Sequence, residues 1–334
     1  LGLGGSEPLV PQFENDFASF IGAKHGIMVP SARYGLYLLL DALGVGEGDE
    51  VIVPGLTYFA IPAMVELLGA KPVFADIGLA THVLDPESFR SAITANTKAV
   101  IPTHLFGTPC DMDAINAIAD EHGIEVIEDC AQSTGARYRG KRVGALGGHA
   151  YYTFGLTKNI TTLSGAMVTT DNDAVASKLR KVIAQSGPAV RTKAIKEAAT
   201  GVAMFLATHP WVYWWSVHPA IVMGNALGKD PIHERFGETE RTYDRVPESY
   251  VQHAKARDIQ AAVGLKQLER IEDLNGARIR NGRTLDEGLA HVPGLIVPEY
   301  PEGSEPIYMS FVIHHPDRDS LMTALRKRGV DTTT

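Results

Sequence analysis

From Lys24 to Thr170, short apolar runs alternate with amphipathic stretches, and this alternation limits the possible folds more than any other feature of the chain. The runs GIMV, DEVIVP, KPVFAD, KAVIPT and IEVIED read as strands; ARYGLYLLLDAL, FAIPAMVELLG and MDAINAIADEHG read as helices between them. Repeated β-α units predict an α/β fold with a mostly parallel central sheet sandwiched by helices. Ligands of such sheets bind beyond the carboxyl ends of the strands. Thr57, Tyr58, Asp129 and Gln132 end or follow strand-like runs and become candidate site residues on that ground.

A chain of 334 residues exceeds what one hydrophobic core usually serves, so a large domain with a smaller partner is expected. Apolar residues make up 45% and charged residues 21%, which excludes disorder and fibrous classes. The net charge of −8, without a basic stripe or zinc-finger spacing, argues against nucleic-acid binding. Cys110 and Cys130 form no pairing framework and have no metal-type spacing, so a reducing cytoplasm is the expected compartment, without disulfide or metal. The abrupt ends, LGLGG and RGVDTTT, suggest missing terminal residues.

Beyond Asp171 the pattern turns helical. Ile259, Val263, Leu265, Leu268, Ile271 and Leu274 recur at helical spacing and predict one long helix leading into an α+β end segment containing GLIVPEY, IYMSFVIHH and helix RDSLMTALRKRG.

Two residues carry the chemistry. In VIEDCAQ, Glu128 and Asp129 end a strand and point to opposite faces, so only one can look into a ligand crevice. Asp129 alone reads equally as a turn or helix-cap acid. Buried, it needs a partner, and a protonated ring nitrogen would be one. Lys158 lies between two strand-like runs in YYTFGLTKNITTLSGAMVTT, flanked by apolar and hydroxylic residues. Most lysines are solvated, but a desolvated one loses its proton and attacks carbonyls. An aldehyde cofactor suits the pair.

PGLTYFAIPAMVELLGAKPVFADI, AVIPTHLFGTPCDMDAINAIADEHGIEVIEDCAQSTGARYRGKRVGALG and TFGLTKNITTLSGAMVTT together resemble the DegT/DnrJ/EryC1/StrS sugar aminotransferases of the fold-type I pyridoxal phosphate (PLP) enzymes. The resemblance implies a large PLP-binding domain over residues 1–245 and a smaller, apparently truncated C-terminal domain over 246–334. It further implies that Lys158 forms the Schiff base with PLP and acts as acid and base, and that Asp129 pairs with the pyridine nitrogen. Gln132 would bond the ring hydroxyl, Tyr58 would stack on the ring, and Thr153 would contact the phosphate.

A helix N-terminus also suits a phosphate: Ser31 reads as the cap, with Ala32 and Arg33 in the first turn. Many relatives have Ser-Gly-Thr here, so Ala32 and Arg33 depart from the common pattern, although Arg33 can pair with phosphate directly. A homodimer with shared sites is implied, with a contact from the neighbouring subunit aligning on His253; Lys255 is a further candidate there. His104 reads as a structural histidine and Cys130 as a small buried hydrophobe.

From residue 198 to residue 228 there is no Asp, Glu, Lys or Arg, and HPWVYWWSVHP holds all three tryptophans. Pro210, Pro219, His209 and His218 interrupt the run, which excludes a spanning helix of about 20 apolar residues. Two readings stay open for this insert: helices packed at a dimer interface or over the site, or a patch at 202–228 that touches lipid peripherally.

The implied activity is transfer of an amino group, with glutamate as donor, to a keto group of a nucleotide-activated sugar, as in polysaccharide or antibiotic biosynthesis. Transamination of a lipid-like or other non-sugar carbonyl is the alternative, and a non-catalytic PLP-binding regulator is another of a different class. Lys158 favours transamination over dehydration, since the family's sugar dehydratases carry histidine there. A dinucleotide dehydrogenase is excluded, because MVPSARYG lacks the glycine-rich turn.

Overall fold

The computed structural model describes residues 8–187, 191–220, 223, 255–330 and 332. Helix α1 (Leu9–Ile21) precedes the alternating region: β1 (His25–Val29), α2 (Ala32–Ala42), β2 (Glu50–Pro54), α3 (Ala60–Leu67), β3 (Lys71–Ala75), α4 (Pro86–Ala92), β4 (Thr97–Val100), α5 (Met112–His122) and β5 (Glu125–Asp129). A hairpin, β6 (Arg137–Tyr138) with β7 (Lys141–Arg142), leads to β8 (Gly148–Thr153), β9 (Ala166–Thr170) and α6 (Asp173–Gln185). Side chains mark the helix starts: Asp85, Asp111 and Asn172 accept first-turn backbone N–H groups of α4, α5 and α6.

Among the described residues, seven strands form one sheet in the order β1-β9-β8-β5-β4-β2-β3. Only β9 runs antiparallel, to both β1 and β8; the others share one direction. The strands inside the sheet are buried on both faces, as their continuous apolar text requires, while the edge strand β3 leaves Lys71 and Phe74 exposed. One face packs on α2, α3 and α6 through Leu36, Leu39, Ile61, Met64 and Leu179, and the other on α1, α4 and α5. Because six strands are co-directional, the carboxyl ends of β1, β2, β4, β5 and β8 open on one edge.

The C-terminal text departs from expectation in two places. The expected long helix is two, α9 (Asp258–Leu268) and α10 (Ile271–Leu289), separated by a break at Glu269–Arg270. Each packs on its own partners: Ala261 of α9 and Ile271 of α10 enter the cluster built around Phe13, Phe17 and Phe154. The expected C-terminal strands reduce to one bridge between Ile296 and His314, and to β10 (Ser304–Glu305), which pairs with β6. The backbone of IYMSF is drawn elsewhere, since Ile307 and Met309 donate to the carbonyls of Gly107 and Phe106 at 3.0 and 2.9 Å. Helix α11 (Arg318–Lys327) follows.

Contact between α1 and α9 leaves no room for a side chain at Gly264, where an added Cβ would meet the Phe13 ring at 2.4 Å. Phe13 is fully buried and cannot move aside. Gly264→Ala is therefore expected to destabilise the protein by about 1–3 kcal/mol despite the better helix former, measured as a lowered midpoint in denaturant at unchanged slope.

Candidate active site

The sheet edge gathers the sequence-predicted residues from separate elements. Asp129 is the last residue of β5, Thr153 the last of β8, and Ser31 caps α2 just beyond β1. Thr57 and Tyr58 follow β2, and Gln132 lies in the turn after β5. Lys158 sits in the loop between β8 and β9, half-buried, its backbone N–H bonded to the Gly155 carbonyl at 3.1 Å. His253 lies outside the described residues; Lys255 is exposed and its N–H bonds the Gly187 carbonyl.

Asp129 and its neighbour divide as strand geometry requires. Glu128 is fully buried and its oxygens accept the N–H groups of Gly144, Leu146 and Gly147 at 2.7–2.8 Å, with the His104 Nε2 at 3.0 Å. The other His104 nitrogen, Nδ1, accepts the Cys110 N–H at 3.0 Å, so the proton resides on Nε2 and the imidazole is neutral. His104, Glu128 and Cys130 are close enough to suggest a metal cluster, but the Glu128 oxygens and both His104 nitrogens already have protein partners. Burial pushes the Cys130 thiol up to about 12, so it remains a neutral packing group.

Asp129 is different. It is buried, and one carboxylate oxygen accepts the Ala131 N–H at 2.9 Å. Burial raises its pKa; the Ala131 bond, the Tyr151 hydroxyl and the charge of Lys158 only partly offset this. Tyr151 stands in register beside Asp129 on β8, so both side chains share one face of the sheet. Its buried hydroxyl makes no well-formed hydrogen bond among the described residues. Burial, then the Asp129 charge, holds that phenol well above the ordinary tyrosine range. A buried carboxylate and a buried phenol, both under-satisfied, lie at the sheet edge beside a lysine.

The lysine loop is held from the C-terminal helices. Asn159, next to Lys158, donates Nδ2 to the Thr134 carbonyl at 2.7 Å and to Asn275 Oδ1 of α10 at 3.3 Å; Asn275 Nδ2 also reaches Thr134 O at 3.0 Å. Gln260 of α9 donates Nε2 to the Ser164 carbonyl and hydroxyl, both at 2.9 Å. These buried amides were not foreseen from sequence. The signal available was a polar residue at helical spacing from apolar ones, Gln260 three before Val263 and Asn275 four after Ile271.

Around the rim, Ser31 Oγ accepts the Tyr34 N–H at 3.2 Å, fixing the first turn of α2. The N–H groups of such a turn lack intrahelical acceptors, and the turn attracts anions. The Gln132 side-chain oxygen accepts the Phe106 N–H at 3.0 Å, which turns its amide nitrogen away from that loop. Phe106 holds φ +56°, a conformation costly for a non-glycine residue, at the turn that docks the C-terminal segment. Thr57 and Thr103 hydroxyls meet at 3.1 Å, and Tyr58 is partly exposed with its ring edge-on to Phe59.

The sheet is mixed, with one antiparallel strand, β9, a lysine in the loop before it and a buried carboxylate two strands away at the end of β5, an arrangement with the chemistry to hold a carbonyl cofactor. The sequence model of the DegT/DnrJ/EryC1/StrS aminotransferase family matches residues 5–208 and 234–334, and the chain belongs to that family. It is 33% identical over 325 residues to the spore coat polysaccharide biosynthesis protein SpsC of Bacillus subtilis strain 168, covering 96% of this chain and 73% of that one. The solved structure of S. venezuelae DesV in complex with a ketimine intermediate is 30% identical, with a TM-score of 0.75, over 99% of this chain and 76% of DesV. An aminotransferase from Psychrobacter cryohalolentis is 29% identical, with the same TM-score, over 97% and 76%. The protein is a PLP-dependent aminotransferase of fold type I from a family of sugar aminotransferases.

The raised Asp129 pKa fixes the sign of a pH effect. In the cofactor-free protein the folded state holds this proton more tightly than the unfolded state, so stability falls as pH rises from the ordinary carboxylate range through the raised value. Asp129→Asn is expected to abolish that part of the decline while weakening PLP binding roughly 10²-fold, as when one partner of a buried pair is lost. Melting temperatures of the cofactor-free proteins across pH, with a PLP titration of each, check both halves.

Proposed function

We propose that the enzyme moves an amino group from an amino acid, with glutamate as the donor, to a keto group of a nucleotide-activated sugar. The carrying observation is Asp129: a buried carboxylate with a raised pKa, close enough to Lys158 to feel its charge, at the open edge of the sheet. Such a group accommodates the protonated ring nitrogen of PLP, which supplies the missing cation. When bound, PLP supplies an electron sink for charge developing at the donor's Cα.

The roles follow from position and chemistry. The Lys158 Nζ would hold the cofactor through its aldehyde carbon and, as a free amine, would carry the proton between the donor's Cα and the product side. Asp129 stays ionised and keeps the ring nitrogen protonated. Tyr151, beside it on β8 with a buried hydroxyl that has no other partner among the described residues, would donate to the carboxylate and position it. Gln132 turns its amide toward the ring hydroxyl, Tyr58 covers the ring face, and Ser31, Ala32, Arg33 and Thr153 receive the phosphate. Gln260 and Asn275 hold the lysine loop at a fixed distance from β5. A cytoplasmic homodimer with sites shared between subunits completes the reading, His253 being the proposed contact from the partner.

Lys158→Ala is expected to lose the visible absorbance of covalently held cofactor and to lower turnover by at least about 10²–10⁴-fold. An unchanged spectrum would remove the assignment. Tyr151→Phe is expected to keep the fold and shift the pH at which the visible band changes, because the group orienting Asp129 is gone. A band with an unshifted pH profile refutes the positioning role. Incubating the enzyme with glutamate and a panel of keto-sugar nucleotides, read by product mass, tests the substrate class; no aminated sugar from any member overturns it.

A further inference from the structure

Helix α7 (Arg191–Thr208), which lies within the family match, leads into an arm of α8 (Pro210–Val212) and a π-helical turn (Tyr213–Val217) that has no counterpart in the matched family sequence. The family match stops at residue 208 and resumes at 234, so all three tryptophans lie outside it. The arm is therefore not needed for the chemistry shared by the family. It is nonetheless the most apolar exposed surface among the described residues. Val202, Phe205 and Leu206 of α7 are exposed, and so are the five consecutive residues Trp211, Val212, Tyr213, Trp214 and Trp215, at 39% to 74% of their full surface.

The geometry of that exposure discriminates between occupants. Successive helical residues project about 100° apart, so five in a row point in every direction around the axis. A second protein surface would cover one side and leave the others in water. A lipid interface takes the face shared by Trp211, Trp214 and Trp215 and still offers an amphipathic medium to Val212 and Tyr213 beside it. Trp and Tyr are the residues that settle at that depth. Charge on the amino-terminal side agrees: in the sequence Arg191, Lys193 and Lys196, against the single acid Glu197, precede the uncharged stretch, while Lys229 and Asp230 follow it. Among the described residues no helix is long and apolar enough to cross a membrane, and Pro210 and Pro219 interrupt the arm, so it lies in the interface plane.

The arm is also joined to the site. At Gly201 of α7 an added Cβ would come within 2.7 Å of the Leu163 side chain, in the same β8–β9 loop that carries Lys158. We infer that residues 202–215 form a monotopic anchor that seats the enzyme on an anionic lipid surface, with the edge of the sheet that carries the lysine loop turned toward the bilayer.

Because every tryptophan of the chain is in this arm, tryptophan emission reports on it alone. The full-length holoenzyme is mixed with phosphatidylcholine/phosphatidylglycerol vesicles, with and without brominated acyl chains. The expected result is flotation with the vesicles, a blue-shifted emission, and quenching by the brominated lipid. In Trp211→Ser/Trp214→Ser/Trp215→Ser, flotation drops at least about tenfold while the visible cofactor band is retained. Val202→Ser/Phe205→Ser/Leu206→Ser, which keeps the tryptophans, is expected to lower flotation and bromolipid quenching in parallel, so the test survives a misfolded triple-tryptophan variant. Unaltered emission with no flotation overturns the proposal. So does an emission already blue-shifted without vesicles in an assembly that falls apart in either variant, which would make a second copy of the chain the occupant.

Discussion

A carboxylate held away from water at the end of β5 is the constraint on which the rest of the site depends. Asp129 cannot be stabilised there by packing, and its one backbone hydrogen bond, from Ala131, does not repay the lost hydration. On the proposed function the fold tolerates it because the cofactor's ring nitrogen brings the cation. Its neighbour Glu128 shows the contrasting solution: the same chemistry, one residue away, on the opposite face, and satisfied by three backbone N–H groups and a neutral histidine. One carboxylate is structural because its partners are built in, and the other is available because they are not.

Lys158 presents the complementary problem, since a flexible side chain on a loop must be kept near a fixed point on a strand. The answer is distributed over sequence-distant segments. The loop closes on itself, with the Phe154 N–H bonding the Gly165 carbonyl and the Phe154 carbonyl accepting from Thr162 N–H, and its two flanks are gripped by Asn275 and Gln260. The C-terminal helices thereby become part of the active-site scaffold. The segment after them is tied in as well: β10 extends the β6–β7 hairpin, and Ile307 and Met309 bond the turn at Phe106, whose own N–H rests on Gln132. Displacing the C-terminal part would disturb the site from two directions.

The exposed aromatic arm sits outside this logic of satisfied burial. In the core of the alternating region the large side chains are covered, and Tyr152, Phe13, Phe17 and Phe154 form a cluster with ring centroids 4.9–5.9 Å apart. Pairs of this kind contribute about 0.5–1.5 kcal/mol each beyond the area they bury. The arm holds aromatic groups of the same size in water. That contrast sets the covered core around the site apart from an uncovered arm, whose helix α7 meets the lysine loop at Gly201 and Leu163.

Local text determined much of this protein: the main strands and three of the helices between Lys24 and Thr170, the burial of the inner strands, and the positions of Ser31 at a helix start and Asp129 at a strand end, whereas α1, α4 and the β6–β7 hairpin left no comparable signal. Those features follow from periods of two and 3.6 residues and from turn chemistry, which act between near neighbours. Only tertiary structure decided which tyrosine of the Tyr151–Tyr152 pair faces Asp129, because that rests on the register of β5 against β8. It likewise decided the break between α9 and α10, the loss of the C-terminal strands to the Phe106 turn, and the roles of Gln260 and Asn275. Each of these depends on contacts between residues far apart in the chain, where side-chain type along the sequence carries no record of the partner.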